Sequence, residues 1–256
     1  MDLKELPPRP FVRHPWEVAR ADFFLRLLRE HLVRSDLRAL DIGSGDGYFA
    51  GRLLAEHPGV SRISCFDTGY DEGWLAGQGR CGQGLDFTAQ FPSGTFDLVL
   101  LLDVLEHADD DRELLASAVA KAARPGTWFT LSAPAHPILF SGHDGKLGHR
   151  RRYSPAQLRE LASATGLDIV DHGQLFTCLL LPRALAKLRE ASLGGRSQAT
   201  PCPGHVETDL GTWHHGAMIT RAVSTALAAD AATSRLATRW RLPLPGLSTW
   251  VLARRP

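Results

Sequence analysis

Apolar residues recur at helical spacing near the start of the chain: Trp16, Phe23, Phe24, Leu27, Leu28 and Leu32 predict an amphipathic helix over 16–33. A short apolar run from Arg38 to Ile42 then leads into the glycine turn Asp41-Ile42-Gly43-Ser44-Gly45-Asp46-Gly47. Tyr48 to His57 predicts a helix that Pro58-Gly59 stops. A second strand, Arg62 to Phe66, closes at Asp67, and the glycine-rich stretch from Thr68 to Gly84 leaves room for a short helix or none. Phe96 to Leu102 is continuously apolar, as expected of a parallel strand covered on both faces.

Asp110 and Glu113 have the spacing of a capping box, predicting a helix to about Ala123, before Pro125-Gly126 and a strand from Trp128 to Ala133. Ser154, Pro155 and Gln157 repeat the start signal, for a helix to about Thr165 that Gly166 ends. Leu167 to Val170 and Leu247 to Leu252 predict the last strands, an antiparallel edge pair on an otherwise parallel sheet. Between them lies a helical insertion, about 175–240, in which 191–205 read as a loop. Alternating strands and helices imply an α/β fold with a doubly wound sheet, helices on both faces and ligands beyond the carboxyl ends of the strands. The expected organisation is one domain: a cap helix in 1–35, a cofactor-binding core in 36–174, a helical lid insertion in 175–242 and a final strand in 243–256.

Composition narrows this further. A chain of 256 residues that is 44% hydrophobic and 22% charged can bury the core of one enlarged domain, and its net charge of +1 offers no global field for nucleic acid. Cys65, Cys81, Cys178 and Cys202 contain no C-x-x-C pair, which argues against a zinc knuckle and a disulfide framework. With no secretory leader pattern and no transmembrane segment in the sequence, a cytoplasmic setting is expected, as a monomer or homodimer.

The glycine turn is informative because of the acids around it. A dinucleotide would present a pyrophosphate that Asp41 and Asp46 repel, whereas a sulfonium with an ammonium group suits them, and Asp67 can accept ribose hydroxyls. The competing reading is an ordinary strand-to-helix turn with solvated acids. From Asp41 to about Val170 the chain resembles the class I S-adenosylmethionine-dependent methyltransferases. The glycine motif, Asp67, F-D-L-V-L-L-L-D-V-L-E-H at 96–107 and P-G-T at 125–127 follow the family's order. The resemblance implies a Rossmann-like sheet of seven mostly parallel strands, with S-adenosylmethionine as cofactor and S-adenosylhomocysteine as product. It assigns cofactor contacts to Asp41, Gly43, Ser44, Gly45, Gly47, Tyr48, Asp67 and Thr68. It also places Asp86 and Phe87 at the adenine, with Asp86 receiving the amino group, and Leu102 and Asp103 at the fourth strand. Phe87 has a core role as its alternative, and the short segment after Asp67 lets the Asp86 assignment slip by a few residues.

A hydroxyl or ammonium acceptor must lose a proton, and histidine is the usual base near neutral pH. His107, His136, His143 and His149 all follow the fourth and fifth strands. H-D-G-K-L-G-H-R-R-R-Y at 143–153 and R-H-P-W-E-V-A-R at 13–20 resemble a bacterial subgroup of the same family. The base is expected to be His143 or His149, with His107 a third catalytic candidate and Asp144 orienting an imidazole. Substrate-lining candidates are His14, Trp16, Arg20, His136, Tyr153 and Trp213, the last in Trp213-His214-His215. Against this stands a reading in which Arg150 to Arg152 are a solvated face and the histidines cap loops. Asp103, Glu106 and His107 at i, i+3 and i+4 could share a helical face and hold a divalent metal with a later histidine, but no metal is the favoured expectation. The apolar run Leu179 to Leu181 beside Arg183, Lys187 and Arg189 fits packing on the sheet better than a membrane-surface helix.

The expected activity is methyl transfer to a small, partly hydrophobic acceptor, with oxygen favoured over nitrogen or carbon because the histidines offer bases. The alternatives are a methyltransferase acting on RNA or a lipid-linked glycan, with Arg150 to Arg152 on phosphate, and a non-catalytic cofactor-binding regulator.

Overall fold

The ring of His14 starts the first helix: its Nδ1 accepts the Trp16 N–H at 3.1 Å, and Pro15 supplies the first helical position of α1 (Pro15–His31). The computed structural model describes residues 11–78, 84–192, 213, 215–240, 242 and 244–256. Cys81, Cys202, His214 and most of the 191–205 loop reading lie outside them.

After α1 come β1 (Leu37–Ile42), α2 (Tyr48–Glu56), β2 (Val60–Phe66), α3 (Glu72–Gln78), β3 (Leu85–Thr88) and β4 (Phe96–Leu102). Then follow α4 (Asp111–Ala122), β5 (Ala123–Pro134), α5 (Gly142–Lys146), α6 (Pro155–Ala164), β6 (Asp168–Leu175), α7 (Leu180–Ser192), α8 (Ala217–Arg239) and β7 (Ser248–Arg254). Both predicted helix starts are capped, the first by one bond of the expected box and the second by both. Asp110 accepts the Glu113 N–H at 2.8 Å, and Ser154 and Gln157 form a reciprocal box.

The seven strands form one sheet in the order β3-β2-β1-β4-β5-β7-β6. β1 to β5 pair in parallel, and β7 runs antiparallel to both β5 and β6, which matches the expected antiparallel pair. The order reverses between β1 and β4, so their carboxyl ends flank the switch-point crevice. One apolar core joins α1, α2 and α8 to the sheet through Phe24, Leu28, Leu53, Leu227 and Trp250. The other joins α4 and α6 through Leu115, Val119, Leu158 and Phe129. Helices on both faces make the sheet doubly wound.

The insertion divides its work. α8 buries Leu227 and Ala231 in the first core, and Arg235 ties it to both Glu30 on α1 and Asp171 on β6. On the approach to α7, Leu179 packs against the same core, but Leu181 is 67% exposed, with Leu185 and Leu188 also outward, so the expected packing of the apolar run holds only at its start. No helix among the described residues is long and apolar enough to cross a membrane.

Candidate active site

The carboxyl end of β1 is a turn built for close backbone approach. Gly43, Gly45 and Gly47 all have positive φ, and a Cβ on Gly43 would lie 2.6 Å from Val104 Cγ2. The Asp67 carboxylate braces this turn, accepting the N–H of Gly45 at 2.9 Å and that of Gly69 at 2.8 Å. Tyr70 braces it from the other side by donating to the Gly45 carbonyl at 2.7 Å, while Ser44 Oγ lies 2.6 Å from the phenol oxygen. Burial pushes the Tyr70 phenol well above its usual range, so it remains a donor. The Tyr70 and Trp74 rings stack at 3.9 Å, and Phe87 meets both edge to face. Thr68 is exposed beside them.

Three acids surround the turn. Asp41 is buried, and burial pushes its carboxyl up to about 7. Arg13 pairs with Asp46 and lies 3.9 Å over the Tyr48 ring. At the neighbouring tip of β4, Asp103 (φ 59) accepts Ser132 Oγ at 2.8 Å and pairs with Arg20, which also lies 4.6 Å over the Trp16 ring. A buried carboxyl near neutrality beside a Cβ-free turn fits a ligand that carries a positive charge and approaches the backbone closely. Leu102 is part-buried under this end of β4.

Asp86 does not join this group. Adjacent strand residues face opposite ways, so Phe87 reaches the aromatic cluster while Asp86 is exposed and pairs with Arg62 at 3.0 Å. Tyr153 is also misplaced as a pocket wall: it is buried in the second core, its hydroxyl donating to the Leu105 carbonyl and to Asp111.

The histidines separate. His149 Nδ1 lies 3.1 Å from Asp144 Oδ1, its Nε2 lies 4.0 Å from Glu106 Oε1, and its ring meets the His107 ring edge-on at 4.8 Å. Burial lowers the affinity of the nearby His143 for a proton. His136 sits at the end of β5 with φ 61, its Nε2 buried without a hydrogen-bond partner among the described residues. His14 meets Trp213 edge-on at 4.9 Å, which brings the N-terminal segment to the insertion.

Asp144 is fully buried. Burial alone would raise its carboxyl, but the His149 bond and the Arg152 guanidinium outweigh that and hold it well below the usual carboxylate range. Glu106 differs: burial pushes it up to about 8, and neither oxygen has a hydrogen-bond partner among the described residues. Asp144 receives direct hydrogen bonds from two arginines, whereas Arg20 and Arg152 act on Glu106 only through space, too weakly to offset its burial.

The Asp103-Glu106-His107 face that the helical spacing allowed does not form. Only Leu105–His107 turn helically, as a 3₁₀ segment, and Asp103 faces Arg20 instead. Donor atoms of Glu106, His107 and His149 do converge within 4.8 Å, close enough for a small cation to bridge, but the guanidiniums of Arg20 and Arg152 also act on Glu106. The arginine cluster is occupied internally. Arg150 and Arg151 pair with Asp109 and Asp111 and donate to the carbonyls of His107, Ala108 and Asp109, while Arg152 is buried on Asp144. Arg150 keeps the character of a solvated face, its side chain 52% and that of Asp109 83% exposed, while Arg151 is half-buried and Arg152 buried.

Sequence reasoning missed Arg13, Tyr70, Trp74, Arg152 and Arg183. Tyr70 and Trp74 were visible as aromatics in a glycine-rich stretch, but the role of Arg183 had no local signal.

Residues 13–172 match the sequence profile described as Methyltransferase domain. No curated protein matches the chain in sequence. Among solved structures, the chain is similar to the [4+2]-cyclase SpnF at 17% identity, with 92% of this chain and 80% of that one covered and a TM-score of 0.54. A SAM-dependent methyltransferase from Archaeoglobus fulgidus aligns at 15% identity over 93% of this chain and 96% of that one, with a TM-score of 0.52. Phosphoethanolamine N-methyltransferase 2 of Haemonchus contortus, solved with phosphomonomethylethanolamine and S-adenosylhomocysteine, aligns at 18% identity over 92% of this chain and 52% of that one, with a TM-score of 0.52.

Proposed function

This chain belongs to the methyltransferase-domain family, an S-adenosylmethionine-dependent class, and we propose that it methylates a hydroxyl of a small, partly apolar acceptor with His149 as the base. The observation that carries this reading is the Asp144–His149 pair. A carboxylate held ionised can only accept, so His149 Nδ1 donates to Asp144, and in the neutral ring that leaves the lone pair on Nε2. Nε2 is then the atom that takes the acceptor's proton.

S-adenosylmethionine, when bound, supplies a methyl group on a cationic sulfur. Gly43, Gly45 and Gly47 would admit its backbone-like end, Asp41 and Asp103 its positive charge and Asp67 the ribose hydroxyls, with Phe87 beside the adenine. His14, Trp16, Arg20, His136 and Trp213 remain the proposed acceptor walls, and His143 and His107 the flanking catalytic candidates. Asp86, paired with Arg62, and Tyr153, locked in the core, drop out of that set. The internal pairing of Arg150 to Arg152 weighs against RNA or a lipid-linked glycan. A cytoplasmic, metal-free enzyme is the setting we favour.

Since the same fold is found in a cyclase, the chemistry must be read from the site and tested as group transfer. Incubation with a methyl-labelled donor and a panel of phenols, alcohols and matched amines should label hydroxyl acceptors and release S-adenosylhomocysteine. His149→Gln should reduce turnover by about 10²–10⁴-fold, the usual worth of a general base, and leave S-adenosylhomocysteine affinity intact. Amines outpacing the alcohols, or full activity in His149→Gln, would refute the proposal.

A further inference from the structure

We propose that Arg183, on helix α7 of the insertion, is a positioning residue that sets the orientation of the His149 imidazole through the buried carboxylate of Asp144. The inference rests on the reading of His149 as the base.

A carboxylate offers about four acceptor positions, and Asp144 has a donor at each. Oδ1 takes His149 Nδ1 at 3.1 Å and Arg152 Nε at 2.7 Å. Oδ2 takes the Ser141 N–H at 3.0 Å and Arg183 Nη2 at 2.7 Å. Three of these donors lie within eight residues of Asp144, whereas Arg183 is 39 positions away and arrives on a separate helix. With Asp144 fully buried, a lost donor is not simply replaced by bulk water.

Arg183 does not reach Asp144 as an isolated contact. It also donates to Ser141 Oγ at 2.7 Å, the hydroxyl that caps α5. Lys187 donates to the Ile138 carbonyl, and Glu190 accepts the Gly142 N–H at 3.0 Å. Positions 183, 187 and 190 share one face of a helix, so α7 applies its polar face to the segment that carries the base. The outward Leu181, Leu185 and Leu188 show the same inversion from the other side. Hydrophobic burial therefore does little to hold α7 there, and the polar contacts select its position. Without Arg183, Oδ2 keeps a single backbone donor, and the carboxylate, still held at Oδ1 by Arg152 and His149, is less firmly fixed against turning about its Cβ–Cγ bond. The acceptor that enforces the Nδ1–H tautomer of His149 is loosened to the same degree.

The test is ring-¹⁵N spectroscopy of histidine-labelled protein with S-adenosylhomocysteine present, at a pH where imidazole is neutral, with His149 assigned by His149→Gln. The wild-type ring should give widely separated nitrogen shifts, with the lone pair on Nε2. In Arg183→Gln the two shifts should move toward each other as the tautomers exchange, while calorimetric S-adenosylhomocysteine affinity stays unchanged. Arg183→Lys, which restores a cation, should return the separated shifts. Arg183→Met, which keeps the apolar stem, carries the same expectation as the glutamine variant should that variant fail to fold. Wild-type shifts in both Arg183→Gln and Arg183→Met, with Asp144→Asn altering them, would overturn the role of Arg183 and leave the His149 reading standing. If Asp144→Asn also leaves them unchanged, the orientation of the base falls as well.

Discussion

The Asp67 carboxylate accepts the Gly45 backbone N–H at 2.9 Å, so an acid at the end of β2 holds the shape of the turn that follows β1. Under the proposed function the same carboxylate also accepts the ribose hydroxyls of the donor, which would give it two duties at one site. Asp67→Ala should weaken S-adenosylhomocysteine binding by about tenfold or more, since hydrogen bonds to a charged group are worth about 1.5–3 kcal/mol. Calorimetry on the variant checks this, and an unchanged Kd would remove Asp67 from the donor site.

Gly47 precedes α2 with φ 71, and a Cβ there would lie 2.7 Å from the Phe87 ring. Gly47→Ala should cost about 1–2 kcal/mol from the left-handed backbone alone, and displacement of the ring should lower donor affinity as well. Denaturant unfolding reads the first effect and calorimetry the second. A variant equal to wild type in both would show that this turn tolerates a side chain.

Binding of the cationic donor should depend on pH through Asp41, whose free carboxyl stands at about 7. The donor prefers the ionised form, so affinity should fall as pH drops below that value, approaching tenfold per pH unit, and level off above it until the donor's own ammonium, with an ordinary pKa of about 8, begins to lose its proton. Titrations from pH ~7.5 to ~5.5, where the donor's ammonium keeps its proton, test this, and Asp41→Asn should bind weakly with a flat profile over that range. A wild-type profile that is also flat would separate Asp41 from the donor's charge.

Much of this site was legible in the sequence because its parts are local. The glycine turn, Asp67 and the apolar strand 96–102 each declare themselves within a few residues, as do the capping pairs at Asp110 and Ser154. What local reading lost was direction. Asp86 and Phe87 are neighbours in the sequence, yet strand alternation sends them to opposite faces. Asp103, Glu106 and His107 have helical spacing, but the positive φ of Asp103 and the shortness of the 3₁₀ turn separate them. The closure of Asp144 by Arg183 is a tertiary contact across two elements, which no window of sequence contains.

Glu106 should make stability fall with rising pH. Its folded carboxyl, at about 8, lies above the ordinary value of 4.5, so between those limits the folded state binds more protons than the unfolded one, and the stability slope is negative. Glu106→Gln should remove that slope, stabilising the protein at pH ~8 by on the order of 2–4 kcal/mol while changing little near pH ~4.5. Unfolding curves across this range decide it, and a variant less stable than wild type at the alkaline end would show that ionised Glu106 is compensated.

The central claim, that acids at the tips of β1, β2 and β4 hold a cationic methyl donor, is tested most directly by calorimetric titration of the purified protein with S-adenosylmethionine, with NAD as comparator. The account predicts saturable one-to-one binding of S-adenosylmethionine that Asp67→Ala weakens, and no binding of NAD. Saturable NAD binding with none of S-adenosylmethionine would contradict it.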